Sequence, residues 1–161
     1  MTYNSYEELY KLIQEINNKF YFKILENCFF LEEAKNKNYV IFMKEIRDSY
    51  SHLARVFKND NPLGSSSKNT ILKELDKFSG HLERLAIESI KLVLNYYIEI
   101  ITLYYKNKNL KDALDLLNLN IARKIKELRL NINSISFEDR YNGYTEIVKY
   151  LDDYIEKNKI S

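Results

Sequence analysis

Only three glycines and one proline occur among 161 residues, and this scarcity constrains the fold more than any other feature of the chain. A protein of many short strands needs a turn at every reversal, built on the positive φ that glycine supplies or the fixed φ of proline. With so few of either, long helices are the expectation. Hydrophobic residues make up 45% of the chain and charged residues 30%, too apolar a mixture for intrinsic disorder and an ordinary one for a soluble globular protein. The length suits a single domain, 1–161, that hides roughly two-thirds of its surface on folding.

Apolar residues recur at steps of three and four along most of the chain, the mark of amphipathic helices. Ser5 with Glu8 fits a capping box, and Leu9, Ile13, Ile16, Phe20, Ile24, Cys28 and Leu31 extend one stripe to about Glu33. After a polar break from Lys35 to Asn38, the residues Tyr39, Met43, Ile46, Tyr50, Leu53 and Phe57 predict a second helix ending near Lys58. Residues 58–70, with Asn59, Asp60, Asn61, Pro62, Gly64 and three serines, read as a mobile loop.

A third helix follows on Leu75, Phe78, Leu82, Leu85, Val93, Tyr97, Ile100 and Tyr104, with a kink expected near Gly80. Leu110, Leu114, Leu117, Ile121, Ile125 and Leu128 predict a fourth, beyond the polar connection Lys106 to Asn109 and closing at Asn131 to Asn133. Ser136 with Asp139 signals the start of a fifth, carried by Phe137, Tyr141, Tyr144, Val148, Leu151 and Ile155 to about Lys157, with Gly143 its weak point. Short connections favour antiparallel neighbours, so the fold class is all-α, an up-and-down bundle of four or five helices. Tyr50, Tyr97, Tyr104, Tyr141 and Tyr144 fall on apolar stripes, whereas Tyr96 and Tyr105 point elsewhere and suit a subunit contact.

Several function classes drop out. A net charge of +2 leaves no overall electrostatic footprint of a DNA-coating protein. The single cysteine, Cys28, cannot form an internal disulfide, which points to a buried thiol and a reducing, cytoplasmic location. The first ten residues lack a secretory pattern. Glu88, Lys91, Asn95 and Glu99 interrupt the most apolar stretch, Ile87 to Tyr105, so no membrane span is expected. No cofactor and no metal are expected either. Gly64, Gly80 and Gly143 are too far apart for a phosphate loop, there is no H-E-x-x-H, and Ser49 and Phe78 stand where a di-metal bundle needs Glu three residues before each histidine.

The chain has two histidines, His52 and His81. On the second helix Arg47, Asp48, Ser51, His52 and Arg55 lie away from the apolar stripe and form one polar face. Asp48 and His52 are i, i+4 neighbours, so the carboxylate can fix the imidazole tautomer and raise its basicity. Arg47 and His52 lie about 140° apart around the axis, and only a long arginine reaching sideways lets both meet one ligand. The competing description of this face is a solvated helix surface with an incidental histidine. On the third helix His81, Arg84 and Glu88 form a second ridge that can face the first; there an ordinary Arg84–Glu88 surface pair, with His81 flanking the bend, is the preferred description.

The segment Arg47-Asp48-Ser49-Tyr50-Ser51-His52 resembles the signature of HEPN domains, helical-bundle proteins that bind nucleotides or cleave RNA, in which Arg precedes His by four to six intervening residues and is often followed by Asn, Asp or His. The match covers six of 161 residues. Toxin members often carry Tyr two residues after the His, where this chain has Ala54, and in many members the motif lies on a later helix. The resemblance implies a metal-independent RNA endonuclease, a toxin or antiviral defence effector, whose two protomers join their motifs across a homodimer interface. It implies His52 as general acid or base on the ribose 2'-OH or the leaving oxygen, Arg47 on the scissile phosphate, and Asp48 orienting His52 or its counterpart across the dimer. The expected partners are a second copy, RNA, and a protein partner or antitoxin. The alternative is a non-catalytic helical bundle that binds a protein partner or a small ligand.

Overall fold

The computed structural model describes residues 2–35, 40–58, 61–130 and 134–160. Among them the protein is all-α, with five helices and no strands: α1 (Tyr6–Lys35), α2 (Val40–Phe57), α3 (Ser65–Asn107), α4 (Lys111–Leu130) and α5 (Phe137–Asn158). The chain divides into two compact units, Met1–Ala86 and Ile87–Ser161, so α3 contributes its first half to one and its second half to the other. No helix among the described residues is long and apolar enough to cross a membrane.

In the first unit α1 starts as its capping box predicts. Ser5 Oγ accepts from the Glu8 amide at 3.1 Å, and the Glu8 carboxylate reaches back to the Asn4 amide. Leu9, Ile13, Ile16, Phe20, Ile24 and Leu31 are buried along one stripe, while Cys28 is only half-buried. Burial, and then the charge of Glu32, push its thiol up to about 11. Tyr3 is buried and donates its hydroxyl to the Pro62 carbonyl at 2.7 Å, tying the N-terminus to the α2–α3 connection.

The second helix is rotated relative to expectation. Its buried line runs through Phe42, Ser49, Leu53 and Val56, whereas Met43 and Phe57, both assigned to the stripe, are 67% and 66% exposed. Tyr39 lies outside the described residues. The shift is about 60° around a helix of 3.6 residues per turn. Two polar residues hide this line from a pattern of apolar spacing. Ser49 is fully buried and satisfies its hydroxyl on the Ile46 carbonyl at 2.7 Å, and Tyr50 is half-buried, its hydroxyl donating to Asn17 Oδ1 of α1 at 3.0 Å and its ring edge-on to Phe78 of α3.

The loop expected over 58–70 is shorter than its composition suggests, because α3 begins at Ser65; Asn59 and Asp60 lie outside the described residues. The Gly64 amide donates to the Asn61 carbonyl, and the Gly64 carbonyl then accepts from Ser67 and Lys68, so the turn leads straight into a helix. Serine favours helix starts as well as loops, which is why composition alone misplaced this boundary. α3 also passes through Ser79 and Gly80 without a break. Ile71, Leu75, Phe78, Leu82 and Leu85, all buried, hold both flanks of the glycine, and such packing outweighs the propensity cost of about 1 kcal/mol.

In the second unit the buried line of α3 includes Ile90, Leu94, Tyr97, Ile101 and Tyr105. Tyr105, expected to point away, is buried and shares a short hydroxyl contact with Tyr154 of α5, whereas Tyr104 is half-buried. Burial, helped by Asp152, pushes Tyr97 up to about 12. Asn109, in the left-handed region at φ 55°, turns the chain after α3. Leu114, Leu117 and Ile121 of α4 face Phe137, Tyr141, Tyr144, Ile147 and Leu151 of α5 as the buried set. The expected α4 stop at Asn131 to Asn133 lies outside the described residues. Ser136 caps α5 by accepting from the Asp139 amide at 3.1 Å. At Gly143 a Cβ would stand 2.5 Å from Leu128 Cδ2, the far end of a flexible side chain.

Candidate functional site

The rotation of α2 decides what its polar face can do. With the buried line on Phe42, Ser49 and Val56, Glu45 and His52 are carried to the edge of the core, while Arg47, Ser51 and Arg55 stay outside. Arg47 is 74% exposed at its side chain and binds Asp48, its neighbour, at 3.1 Å. Ser51 Oγ donates to the Asp48 carbonyl at 2.6 Å. Asp48 therefore holds Arg47 and does not touch His52, and within one chain the three residues of the signature do not converge.

His52 turns instead to α3. Its Nδ1 stands 2.7 Å from Glu74 Oε2 and 3.0 Å from Arg55 Nη1, and its side chain is only 15% exposed, that of Glu74 13%. Arg55 reaches the same Glu74 oxygen at 3.2 Å, and Lys77 Nζ binds Oε1 at 2.8 Å. Hydrogen bonds from Lys77, His52 and Arg55, in that order, outweigh desolvation and hold the Glu74 carboxyl down at about 2, so it is a carboxylate at any ordinary pH.

His81 repeats the arrangement. Its Nδ1 is 3.5 Å from Glu45 Oε2 and 3.2 Å from Arg84 Nη2. Arg84 also donates Nε to the Gly80 carbonyl, and Glu88, its expected partner, binds Lys91 instead. The two imidazoles stack, with ring centroids 5.2 Å apart and planes inclined by 22°. Both Nδ1 atoms are thus engaged, and no hydrogen bond to either Nε2 is seen among the described residues.

Sequence spacing explains the cross-pairing. Glu45, His52 and Arg55 on α2 have the same separations as Glu74, His81 and Arg84 on α3, a pattern Glu-x6-His-x2-Arg present twice. Residues seven apart share a helix face, and in the antiparallel pairing of α2 with α3 the Glu of each helix meets the His of the other. The apolar periodicity singled out His52, Arg55, His81 and Arg84 but passed over Glu45 and Glu74; the duplicated spacing is the signal that finds them.

The result is a half-exposed patch with two oriented imidazoles, three cationic side chains in Arg55, Lys77 and Arg84, and two carboxylates spent on positioning. Among the described residues no three of His, Cys, Asp and Glu converge in a geometry that would hold a metal ion. Paired imidazoles beside guanidinium groups can move protons at a phosphate ester and hold its charge. No family model, no curated protein and no solved structure matches this chain.

Proposed function

We propose that this protein is a metal-independent RNA endonuclease with His52 as the proton-transferring group. The observation that carries this reading is the grip of Glu74 on His52 Nδ1 at 2.7 Å. With Arg55 donating to the same Glu74 oxygen and not to the ring, Nδ1–H donates to the carboxylate, and this is the tautomer whose Nε2 lone pair is available and whose imidazolium the carboxylate stabilises. The ribose 2'-OH is one group that such a base can activate, and RNA as the substrate class is what the resemblance of Arg47 to His52 to the HEPN signature adds.

Arg47 and Asp48 project away from His52 within the chain. In the proposed complex they belong to the neighbouring copy's half of the site, where Arg47 binds RNA phosphate and Asp48 keeps its side chain extended. The exposure of Met43 and Phe57 on the same helix supplies apolar surface for that association.

The test is incubation of purified protein with defined RNAs in EDTA, beside folded His52→Ala and Arg47→Ala variants. Cleavage to 2',3'-cyclic phosphate ends, lost in His52→Ala and weakened in Arg47→Ala, is the expected result. Cleavage that survives His52→Ala, or an inert wild type over a broad panel of single-stranded and hairpin RNAs, overturns the reading. An inert protein would favour the alternative of a non-catalytic helical module, for which the exposed Phe22, Phe29, Met43 and Phe57 are the docking candidates.

A further inference from the structure

We infer that the site is a two-histidine site within one chain, in which His81 and Arg84 of α3 supply the second half of the acid–base machinery and the phosphodiester is held across the edges of the two stacked imidazoles. This rests on the reading of His52 above and goes beyond it, since neither the resemblance to HEPN domains nor the apolar pattern assigns α3 any catalytic part. The duplicated Glu-x6-His-x2-Arg spacing and the antiparallel pairing give α2 and α3 equivalent sets of groups around a local twofold.

Each set has an imidazole, an arginine three residues on that shares its Nδ1, and a glutamate from the opposite helix facing the same nitrogen. The rings stack at 5.2 Å, within the span of one phosphodiester. Two such rings suit a transphosphorylation, which needs a proton removed at one oxygen and delivered at another.

The two halves are similar but unequal, and the inequality assigns the roles. His52 Nδ1 is held closely by Glu74, whose same oxygen also takes the Arg55 guanidinium, leaving the Nε2 lone pair as base. His81 Nδ1 is more loosely placed, 3.5 Å from Glu45 with the exposed Arg84 sharing it. When Arg84 swings to the substrate phosphate, Nδ1–H of a protonated His81 pairs with Glu45 and Nε2–H is presented as acid. The charged groups facing the two rings are Glu45 and Arg55 from α2 and Glu74 and Arg84 from α3, with Lys77 behind Glu74.

In the step itself the 2'-OH gives its proton to His52 Nε2 as O2' bonds to phosphorus. The P–O5' bond breaks and O5' takes the proton from His81 Nε2, leaving a 2',3'-cyclic phosphate and a 5'-hydroxyl. His52 then returns its proton to water and His81 regains one.

Three measurements test this on the whole protein. First, His81→Gln should lower kcat on ordinary RNA by at least about a hundredfold, the usual contribution of a general acid. It should recover to within about tenfold of wild type on an RNA whose scissile 5'-oxygen is replaced by sulfur, because a thiolate leaves without a proton. His52→Ala should not recover. Wild-type rate in His81→Gln, or equal loss on both substrates, overturns the inference while leaving the His52 reading intact.

Second, mixing the His52→Ala and His81→Gln chains should restore no activity, since both histidines act in one chain; recovery on mixing would place them in different chains and overturn it. Third, titration with inorganic phosphate, followed by the NMR signals of the imidazole Cε1–H groups, should move both histidines with one common Kd, and His81→Gln should weaken binding by about tenfold. Movement of one histidine alone, or of neither, overturns the shared site. This last readout needs no turnover, so an inert protein that still binds phosphate at both rings would fail only the nuclease reading.

Discussion

Replacing Glu74 with Gln keeps the size of the side chain and removes the charge on which α2 and α3 meet. The carboxylate accepts from Lys77 on one oxygen and faces His52 and Arg55 with the other. A carboxyl held at about 2 instead of its ordinary 4.5 corresponds to about 3.4 kcal/mol of preference for the charged form in the folded state. Arg55 and Lys77 are more than half exposed, and solvent screens such pairs heavily. Roughly half should survive, mostly through the sheltered His52 contact, so Glu74→Gln is expected to cost about 1.5 to 2 kcal/mol at pH 7.

The sign of the pH dependence follows from the direction of the shift. A depressed carboxyl contributes fully above its unfolded value and loses its contribution as pH falls through the folded one. The stability gap between wild type and Glu74→Gln should therefore be constant from pH 7 to about 5 and close progressively between 4.5 and 2. Urea unfolding followed by circular dichroism at pH 7, 5, 4 and 3 measures this, and at pH 7 the variant should melt about 3 to 8 °C lower. A gap under about 0.5 kcal/mol at pH 7, or one that stays unchanged down to pH 3, would refute the claim that this charge ties the two helices together.

Three further outcomes follow from local geometry. Gly80→Ala meets no atom within 4 Å in the middle of α3 and should raise stability by about 0.5 to 1 kcal/mol in urea unfolding. Gly143→Ala places a Cβ 2.5 Å from Leu128 Cδ2, the far end of a half-buried side chain that can rotate away; it should gain less stability than Gly80→Ala, and the gain should rise toward about 1 kcal/mol in a Leu128→Ala background, a difference that a double-mutant cycle reads directly. Cys28, with its thiol near 11, should react with iodoacetamide at pH 8 about a hundredfold more slowly than free cysteine, and reactivity equal to that of the unfolded chain would contradict its half-buried placement.

Local spacing carried the reading of the helices a long way. The caps at Ser5 and Ser136 and the stripe of α1, Cys28 apart, stand where the sequence put them, because these depend on residues within a turn or two of one another. Spacing failed where a polar residue does the work of an apolar one. Fully buried Ser49 lies on the core line of α2, and Met43 and Phe57, apolar at the predicted positions, do not. It failed again at Ser65 to Thr70, where turn-forming composition and a helix start have the same residue preferences.

The candidate site divides along the same boundary. Which residues can carry proton chemistry was legible, since the chain has only His52 and His81 to offer. Which carboxylates serve them was not, because Asp48 is one turn from His52 in sequence whereas Glu74 is 22 residues away and meets it only when α2 and α3 lie antiparallel. The sequence by itself determined a row of four or five amphipathic helices and an inventory of reactive groups, since helix periodicity and capping are local interactions. Only the tertiary structure decided the rotation of α2 about its axis, because that angle is set by how side chains from three helices fill one core, and it is this rotation that points His52 away from Asp48 and toward Glu74 and His81.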